Sequence, residues 1–149
     1  MESKQPKLIA IDHDDYHAEY VGKTDDGRQF FLTTPFEPMR EDDSGSEFVA
    51  LYIFDGVGQL CEALIDNLGP RQSMDIEYRR QLCAKRLHDL GNIHFSRIEV
   101  APFSVERFGT EFGLVIRVPE DIEDCWAVEA QPGNYMAFFE PWESGEYDT

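Results

Sequence analysis

Short apolar runs recur along the chain and predict a protein built mainly of β-strands. Two aromatic-rich runs, residues 17–23 and 28–36, are separated by the turn sequence TDDG at 24–27. Because glycine tolerates the positive φ of tight hairpin turns, an Asp-Gly pair between two such runs is a strong hairpin signal. Residues 48–55 are almost continuously apolar, which is typical of a central strand.

One later segment, from about Met74 to Leu90, has the spacing of an amphipathic helix instead. Ser73 is in position to cap it, Asp75 lies in its first turn and Gly91 favours a stop after it. Its apolar stripe consists of Ile76, Cys83, Leu87 and Leu90, widened by Met74, Tyr78 and Leu82. The pattern therefore predicts one principal helix whose stripe faces a sheet.

Two stretches between these elements are less regular. Residues 35–47 hold two prolines, a glycine and a cluster of acids, which predicts an exposed loop. Residues 59–69 are ambiguous, because their apolar positions fit helical spacing while the turn DGVG at 55–58 favours a strand at their start. We predict a strand at least for the beginning of this second stretch.

Further strand-like segments follow the helix, at 93–103, 104–108, 112–119, 125–130 and 135–140. The predicted fold class is therefore α+β, a mostly antiparallel sheet with one principal helix (about 74–90) packed on one face. At 149 residues, the chain is expected to form a single domain, 1–149.

The formal net charge of −17 at pH 7 limits the classes of partner. Nucleic-acid binding normally requires a Lys/Arg surface that releases counterions, so a duplex would repel this chain, as would an acidic membrane surface. A basic protein would be attracted, mainly through faster association. The alternative interpretation is that the acidity only keeps the protein in solution.

Negative charge is concentrated late in the chain. No Lys or Arg follows Arg117, whereas these acids do: Glu120, Asp121, Glu123, Asp124, Glu129, Glu140, Glu143, Glu146 and Asp148. The closing stretch YMAFFEPWESGEYDT, at 135–149, combines several of them with aromatic rings. One interpretation is that the rings anchor the terminus on the sheet while the acids stay in water.

The second interpretation is that rings and acids form a patch that recognises a basic protein. Trp and Tyr are favoured anchors of protein interfaces, and carboxylates beside them would pair with Lys or Arg. The predicted partner-binding residues are Trp142, Glu143, Glu146, Tyr147 and Asp148.

Signals for catalysis or for a cofactor are few. The stretch DGVG at 55–58 lacks the third glycine of a dinucleotide fingerprint, since Cys61 stands there, and it lacks the lysine of a phosphate loop. No GxSxG nucleophile elbow occurs. Cys61, Cys83 and Cys125 form no zinc-type pair, and their odd number argues against a disulfide framework, so we expect reduced, mostly buried thiols. We predict no catalytic residues, no metal and no cofactor.

A metal-dependent hydrolase is the alternative that the sequence leaves open. In DHDDYH at 12–17, His13, Asp15 and His17 would project to one side of an extended chain, and imidazole with carboxylate suits a transition metal. The segment has neither the HExxH spacing nor a calcium-loop pattern. This alternative rests on His13, His17 and the acids near them.

Several short motifs occur in a familiar order. They are YVG at 20–22, DG at 26–27, QF at 29–30, FSVE at 103–106, FGL at 112–114, QP at 131–132, AFFEPW at 137–142 and GEYDT at 145–149. In this order they resemble a bacterial family often labelled "formate hydrogenlyase regulatory protein". The closing motifs are the most specific, and the likeness is weakest between 37 and 86. The resemblance implies a small bacterial cytosolic protein without catalysis, and it transfers no site residues to this chain.

The predicted function is thus a non-enzymatic protein-binding module, regulatory or immunity-like, that recognises a basic partner. The likeness to acidic immunity proteins is one of class only. Since the start of the chain shows no signal segment and no run has the length of a membrane span, we expect a cytoplasmic protein. We expect a monomer or a weak homodimer. In a homodimer, Arg79, Arg80 and Arg86 would receive the acidic terminus of another copy.

Overall fold

The computed structural model describes residues 6–13, 18–37, 45–121, 123–133, 136–139, 142 and 145–147. The strands are β1 Ile9–Ile11, β2 Tyr20–Thr24, β3 Gln29–Thr33, β4 Phe36–Glu37, β5 Ser46–Phe54, β6 Leu60–Gly69, β7 Ile93–Phe95, β8 Ile98–Val100, β9 Phe103–Arg107, β10 Thr110–Arg117, β11 Ala127–Gln131, β12 Met136–Phe138 and β13 Gly145–Tyr147. Helix α1 spans Ile76–Asp89, and a short 3-10 turn, Arg71–Ser73, precedes it. Every described strand pairing is antiparallel, so the predicted α+β class is confirmed.

The first sheet is built around β5. One edge of β5 pairs with β3 and with the short β4, and its other edge pairs with β6. Beyond β3 the sheet continues through β2 to β7. The predicted hairpin between β2 and β3 is confirmed, with Gly27 at a φ of 85° in the turn.

Strand β5 is buried on both faces, because a different layer covers each face of the first sheet. Successive side chains of a strand point to opposite faces. Those in the main hydrophobic cluster are Phe48, Ala50, Tyr52 and Phe54, and those in the cluster beneath the helix are Val49, Leu51 and Ile53. The prediction of a central strand at 48–55 is confirmed.

Helix α1 covers the second cluster mainly with its carboxyl-terminal half. Leu82 is buried, and Cys83 and Leu87 pack half-buried against the same cluster. Ile76 and Tyr78 are 59% and 54% exposed, so the predicted apolar stripe is wrong at its start. The helix residues that pack against the cluster begin at Leu82, and the helix makes its main contact with β5. In the described part of the chain, no helix combines the length and the apolar character needed to cross a membrane.

The helix also begins later than the pattern predicts. Asp75, not Ser73, is the N-cap: its carboxylate accepts hydrogen bonds from the N–H groups of Glu77 (3.0 Å) and Tyr78 (3.2 Å). The Ser73 hydroxyl instead donates to the carbonyl of Pro70 at 3.3 Å, within the 3-10 turn. A carboxylate suits the cap for a second reason, because a helix N-terminus carries partial positive charge.

The second sheet is a meander in which β9, β10, β11, β12 and β13 each pair with the next. Its inner face packs on the first sheet and completes the main cluster with Phe112, Leu114, Val128, Ala130, Met136 and Phe138. The turn between β9 and β10 holds Phe108 and Gly109 at φ values of 56° and 72°. Two successive residues with positive φ are typical of a two-residue hairpin turn.

A two-stranded pair, β1 with β8, contributes to the main cluster, and the side-chain amide of Gln29 in β3 bonds it to the first sheet. Gln29 is 5% exposed. Its Nε2 donates to the carbonyls of Glu99 (2.9 Å) and Asp55 (3.1 Å), and its Oε1 accepts from the N–H of Glu99 (2.8 Å). This side chain therefore supplies hydrogen bonds that a neighbouring strand would otherwise supply.

Strand β6 forms an edge of the first sheet, because among the described strands it pairs with β5 alone. Shifts of register leave Cys61 and Leu68 as extra residues, so β6 has a bulge near each end. It also carries the carboxylates of Glu62 and Asp66. Bulges and charges are the features that keep a sheet edge from pairing with other chains.

The irregular stretches contain more strand than the sequence predicts. Residues 60–69 are extended throughout, because alternate side chains reach both clusters: Ile65 packs against the main cluster and Leu64 beneath the helix. The predicted loop at 35–47 contains strand at both ends, since β4 pairs with the start of β5. Residues 38–44 of that stretch lie outside the described part of the chain.

The cysteines are free thiols, as expected, but the prediction that most are buried is wrong. Cys61 and Cys125 are exposed, and Cys83 is half-buried. Cys61 is exposed because it is the bulged residue at the start of β6, and Cys125 lies in the loop between β10 and β11.

The helix cap yields a first prediction. Replacing Asp75 with alanine should lower the free energy of unfolding by about 1 kcal/mol, because two N–H groups lose their acceptor. The matched change Ser73→Ala should alter it by less than about 0.5 kcal/mol. Urea denaturation of both variants checks this, and a larger loss for Ser73→Ala would contradict the assigned cap.

The amide bridge yields a second prediction. Gln29→Met keeps the length of the side chain but removes three hydrogen bonds. We expect a loss of about 1–3 kcal/mol in unfolding free energy, because the N–H and the carbonyl of Glu99 lose their hydrogen-bond partner. Gln81→Met, at an exposed helix position, is the control and should change stability by less than about 0.5 kcal/mol. Equal effects of the two changes would show that the bridge contributes nothing.

Candidate functional site

The predicted site contains Trp142, whose backbone is held on both sides. Its N–H donates to the carbonyl of Phe139 (2.7 Å), and its carbonyl accepts from the N–H of Ala10 in β1 (2.8 Å). Its φ of 69° is uncommon for a residue other than glycine. The ring is half-buried and packs against the main cluster. The closing segment is therefore anchored at this residue, as the first of the two interpretations predicts.

The other predicted residues are divided between described and undescribed parts of the chain. Glu146 and Tyr147 belong to β13, which pairs with β12 at the edge of the second sheet. Glu143 and Asp148 lie outside the described residues. The structure thus places two of the predicted residues on one sheet edge by their backbone, and the patch of five side chains stays a prediction.

The face of the second sheet that points away from the core is polar. Because side chains alternate along each strand, the residues between the core positions share this outer face. Its side chains in β9, β10 and β11, omitting glycine and alanine, are Ser104, Glu106, Glu111, Val115, Arg117, Glu129 and Gln131. All of them are exposed or half-buried. Carboxylates outnumber bases here, so the face carries net negative charge.

Glu106 and Glu111 stand directly opposite each other in the pairing of β9 with β10. Like charges in this position destabilise a sheet by roughly 0.2–1 kcal/mol. The hydroxyl of Ser104 donates to Oε2 of Glu111 at 2.7 Å. The carboxylate of Glu106 is exposed and has no hydrogen bond or ion pair with the described residues. This part of the face is therefore suited to accept a cation.

Arg117, the base on this face, is already neutralised. Its Nη1 lies 3.0 Å from Oδ2 of Asp124, and its Nε lies 3.4 Å from Oε2 of Glu129. The contact with Glu129 is an ion pair only, because Nε makes no hydrogen bond within the described part of the chain. The two carboxylates carry one more negative charge than the guanidinium neutralises, so this end of the sheet keeps a net negative charge.

An acidic loop between β10 and β11 extends this end of the face. Oδ1 of Asp121 accepts hydrogen bonds from the N–H groups of Glu123 and Asp124, both at 2.9 Å. The carboxylate of Asp124 accepts from the N–H groups of Glu120 (3.1 Å) and Cys125 (2.9 Å). Backbone N–H groups of the loop thus donate hydrogen bonds to two of its carboxylates, whereas the side chains of Glu120 and Glu123 are exposed.

The sequence predicts no site role for Glu106 or Glu111, and it marks Glu129 only as one of the acids late in the chain. A signal for them exists, since each glutamate belongs to a segment in which apolar side chains occupy alternate positions: FSVE, EFGL and VEA. Alternation predicts that such residues face solvent. It does not predict the register, which sets Glu106 against Glu111.

Basic residues collect on the opposite layer of the molecule. Helix α1 carries Arg79, Arg80, Lys85 and Arg86 among its residues. Arg86, which the homodimer prediction uses, is paired with Asp66 of β6 at 2.8 Å. The buried first sheet therefore separates these bases from the acidic outer face of the second sheet.

The alternative metal site gains no support from the described residues. The ring of His13 stacks on Phe95, with centroids 5.5 Å apart and an interplanar angle of 2°, and its Nε2 lies 3.2 Å from the carbonyl oxygen of Glu19. His17 and Asp15 lie outside the described part. Among the residues that are described, no three His, Cys, Asp or Glu side chains form a group that could hold a metal ion. The hydrolase therefore stays an alternative prediction.

No protein-family model, curated protein or solved structure matches this chain. In the structure, the motifs FSVE (103–106) and FGL (112–114) belong to the paired strands β9 and β10. This placement says where the motifs lie and not which family they come from. The resemblance to the bacterial regulatory family stays a prediction.

The loop carboxylate of Asp124 yields a third prediction. Hydrogen bonds from the N–H groups of Glu120 and then Cys125 lower its pKa below the ordinary value of 3.8, and Arg117 lowers the pKa further. Since the folded pKa is below the unfolded one, the ionised carboxylate stabilises the fold above the ordinary value, and this contribution is lost as pH falls through the folded pKa.

Asp124→Asn should therefore lower the urea midpoint at pH 7, and the difference from wild type should narrow as the pH falls below 3.8. Asp25→Asn is the control, because the exposed Asp25 side chain makes no hydrogen bond with the described residues. If the urea midpoint of Asp124→Asn differed from that of wild type by the same amount at pH 7 and at a pH below 3.8, the assigned role of the charge would be contradicted.

Proposed function

We propose that this protein is a non-enzymatic protein-binding module, regulatory or immunity-like, that binds a basic protein in the cytoplasm. The proposed contact surface, which we call the acidic face, consists of Glu106, Glu111, Glu129, Glu120 and Glu123. The observation that carries the proposal is its charge balance: the arginine within this surface, Arg117, is already neutralised by Asp124 and Glu129.

Such a surface favours a cationic partner both before and after contact. Before contact, its field speeds the approach of a basic protein, over a range of about 8–10 Å at physiological salt. After contact, a Lys or Arg placed between Glu106 and Glu111 would relieve their mutual repulsion. The arrangement that destabilises the free protein thus stabilises the complex. The same field disfavours a nucleic-acid duplex.

The closing strand is the natural continuation of this surface. Strand β13 pairs with β12, which pairs with β11, so that Glu146, Ala137 and Glu129 form one row of the register. Neighbouring strands in a sheet lie about 4.7–4.9 Å apart, which keeps such a row within the footprint of one partner. We therefore include Glu146 in the proposed surface and assign Trp142 the anchoring of its segment. Tyr147 is left out of this surface, because its partner in the register is the core residue Met136.

Neutral substitutions on the acidic face test the proposal. The face variant replaces Glu106, Glu111 and Glu129 with glutamine, which keeps side-chain size and removes three charges. The matched control removes three exposed acids elsewhere: Asp25→Asn, Glu62→Gln and Glu99→Gln. Each immobilised chain is exposed to a bacterial lysate, and the affinity of the captured protein is then measured by calorimetry at two salt concentrations.

We expect the face variant to bind the captured protein roughly tenfold more weakly, because exposed ion pairs contribute about 0.2–1 kcal/mol each. The control should bind nearly as tightly as wild type. Equal weakening in both variants would mean that net charge, and not this face, decides binding. Full affinity of the face variant, or an acidic captured protein, would contradict the proposal. Turnover of a small molecule by pure protein would contradict its non-enzymatic part.

A further inference from the structure

A groove of about 390 Å³ runs between helix α1 and the first sheet, on the far side of that sheet from the acidic face. Its helix wall includes Ile76, Arg79, Arg80, Cys83 and Leu87, and its sheet wall includes Tyr20 of β2. The groove exists because the helix makes its main contact with β5 and leaves the space beside β2 uncovered. Its volume lies within the usual range for small-molecule sites, about 300–1,000 Å³.

Arg79 gives this groove a cation that is not neutralised. The other Lys and Arg side chains of the helix are paired: Arg80 with Glu77 (3.2 Å), Lys85 with Asp89 (3.1 Å) and Arg86 with Asp66 (2.8 Å). Arg79 is half-buried and forms neither an ion pair nor a hydrogen bond through its side chain with the described residues. A guanidinium in this state has lost part of its hydration without gaining an anion, so a carboxylate could bind it through two parallel hydrogen bonds.

Tyr20 adds a neutral donor to the opposite wall. Burial raises the pKa of its phenol above the ordinary value of 10.0, and Glu19 and Cys83 raise it further. The hydroxyl therefore stays protonated at neutral pH and can donate a hydrogen bond. Tyr20 and Cys83 of the helix wall pack against the same hydrophobic cluster, so the two walls lie close together.

Apart from Arg79 and Arg80, the helix wall is apolar. Ile76 is 59% exposed at the start of the helix, and Leu87 lies three turns later on the same side. Between them, burial raises the pKa of the Cys83 thiol, which keeps it uncharged. An apolar group placed along this wall would remove exposed hydrocarbon from water.

We infer that this groove binds a small amphipathic carboxylate. Its carboxylate contacts Arg79 and the hydroxyl of Tyr20, and its apolar body lies along Ile76, Cys83 and Leu87. A ligand with several negative charges fits less well, because Glu19 also lines the groove and would repel it. One negative charge on an apolar body is the chemistry that the two walls recognise together.

Octanoate is the probe for this inference. Acetate carries the charge without the apolar body, and 1-octanol carries the body without the charge. We expect saturable binding of octanoate by calorimetry, and binding of both comparison compounds that is at least tenfold weaker. Arg79→Gln should weaken octanoate about tenfold or more, because a charge-assisted pair is lost. Lys85→Gln is the matched control on the same helix, and it should change the affinity by less than about twofold, because Lys85 is already paired with Asp89.

Protection of a thiol locates the probe independently. In a chain with Cys61→Ser and Cys125→Ser, Cys83 is the remaining cysteine, and octanoate should slow its alkylation by iodoacetamide several-fold. This experiment keeps Arg79 in place, so it tests the inference even if the Arg79→Gln chain does not fold. Circular dichroism shows whether that variant folds.

Three results would overturn the inference. They are an unchanged affinity of Arg79→Gln, acetate or octanol binding as tightly as octanoate, and alkylation of Cys83 that octanoate does not slow. Tighter binding of the peptide GEYDT, the sequence of residues 145–149, would also overturn it. In that case the groove would serve the acidic terminus of a second copy.

Discussion

Burial of β5 on both faces is the constraint on which the rest of the structure depends. Each large apolar side chain moved from water into a core contributes about 1.5–3 kcal/mol, and this strand supplies such side chains in both directions. Neither face of the first sheet can therefore remain in contact with water. The helix covers one face and the second sheet covers the other, which leaves the charged residues on two outer layers.

This layering explains how one strongly acidic chain can present two surfaces that differ in local charge. The acidic face and the groove beside α1 lie on opposite sides of the first sheet, and stacked layers are about 10 Å apart. Two such spacings exceed the range of about 8 Å over which exposed charges act at physiological salt. The local balance of charge, and not the net charge of −17, therefore determines the electrostatic potential at each surface.

The elements that depend on residues close together in the sequence could be predicted. The continuous apolar run of β5 and the Asp-Gly turn before β3 are examples, because both signals are contained in a few residues. The sequence predicts the N-cap at Ser73, whereas the structure has it at Asp75. Both are good capping residues, and only the tertiary structure decides between them. Features that join distant segments could not be predicted, and the amide of Gln29 bonded to Glu99 is the clearest case.

The same distinction applies to the two surfaces. The excess of acid late in the chain is visible in the composition, but the opposition of Glu106 and Glu111 follows from the register of β9 and β10. Likewise, the sequence marks Arg79 as a base on a helix. Its lack of a partner is a property of packing, because it depends on where Glu77 and Asp66 lie.

The bulged edge of the first sheet has a consequence for the behaviour of the protein at high concentration. Antiparallel association of two copies through β6, centred on Leu64, would set Glu62 of one copy against Asp66 of the other. The bulges at Cys61 and Leu68 would also interrupt the ladder at both ends. A long strand of this kind is an aggregation hazard in many sheet proteins, and here its own sequence opposes the growth of fibres.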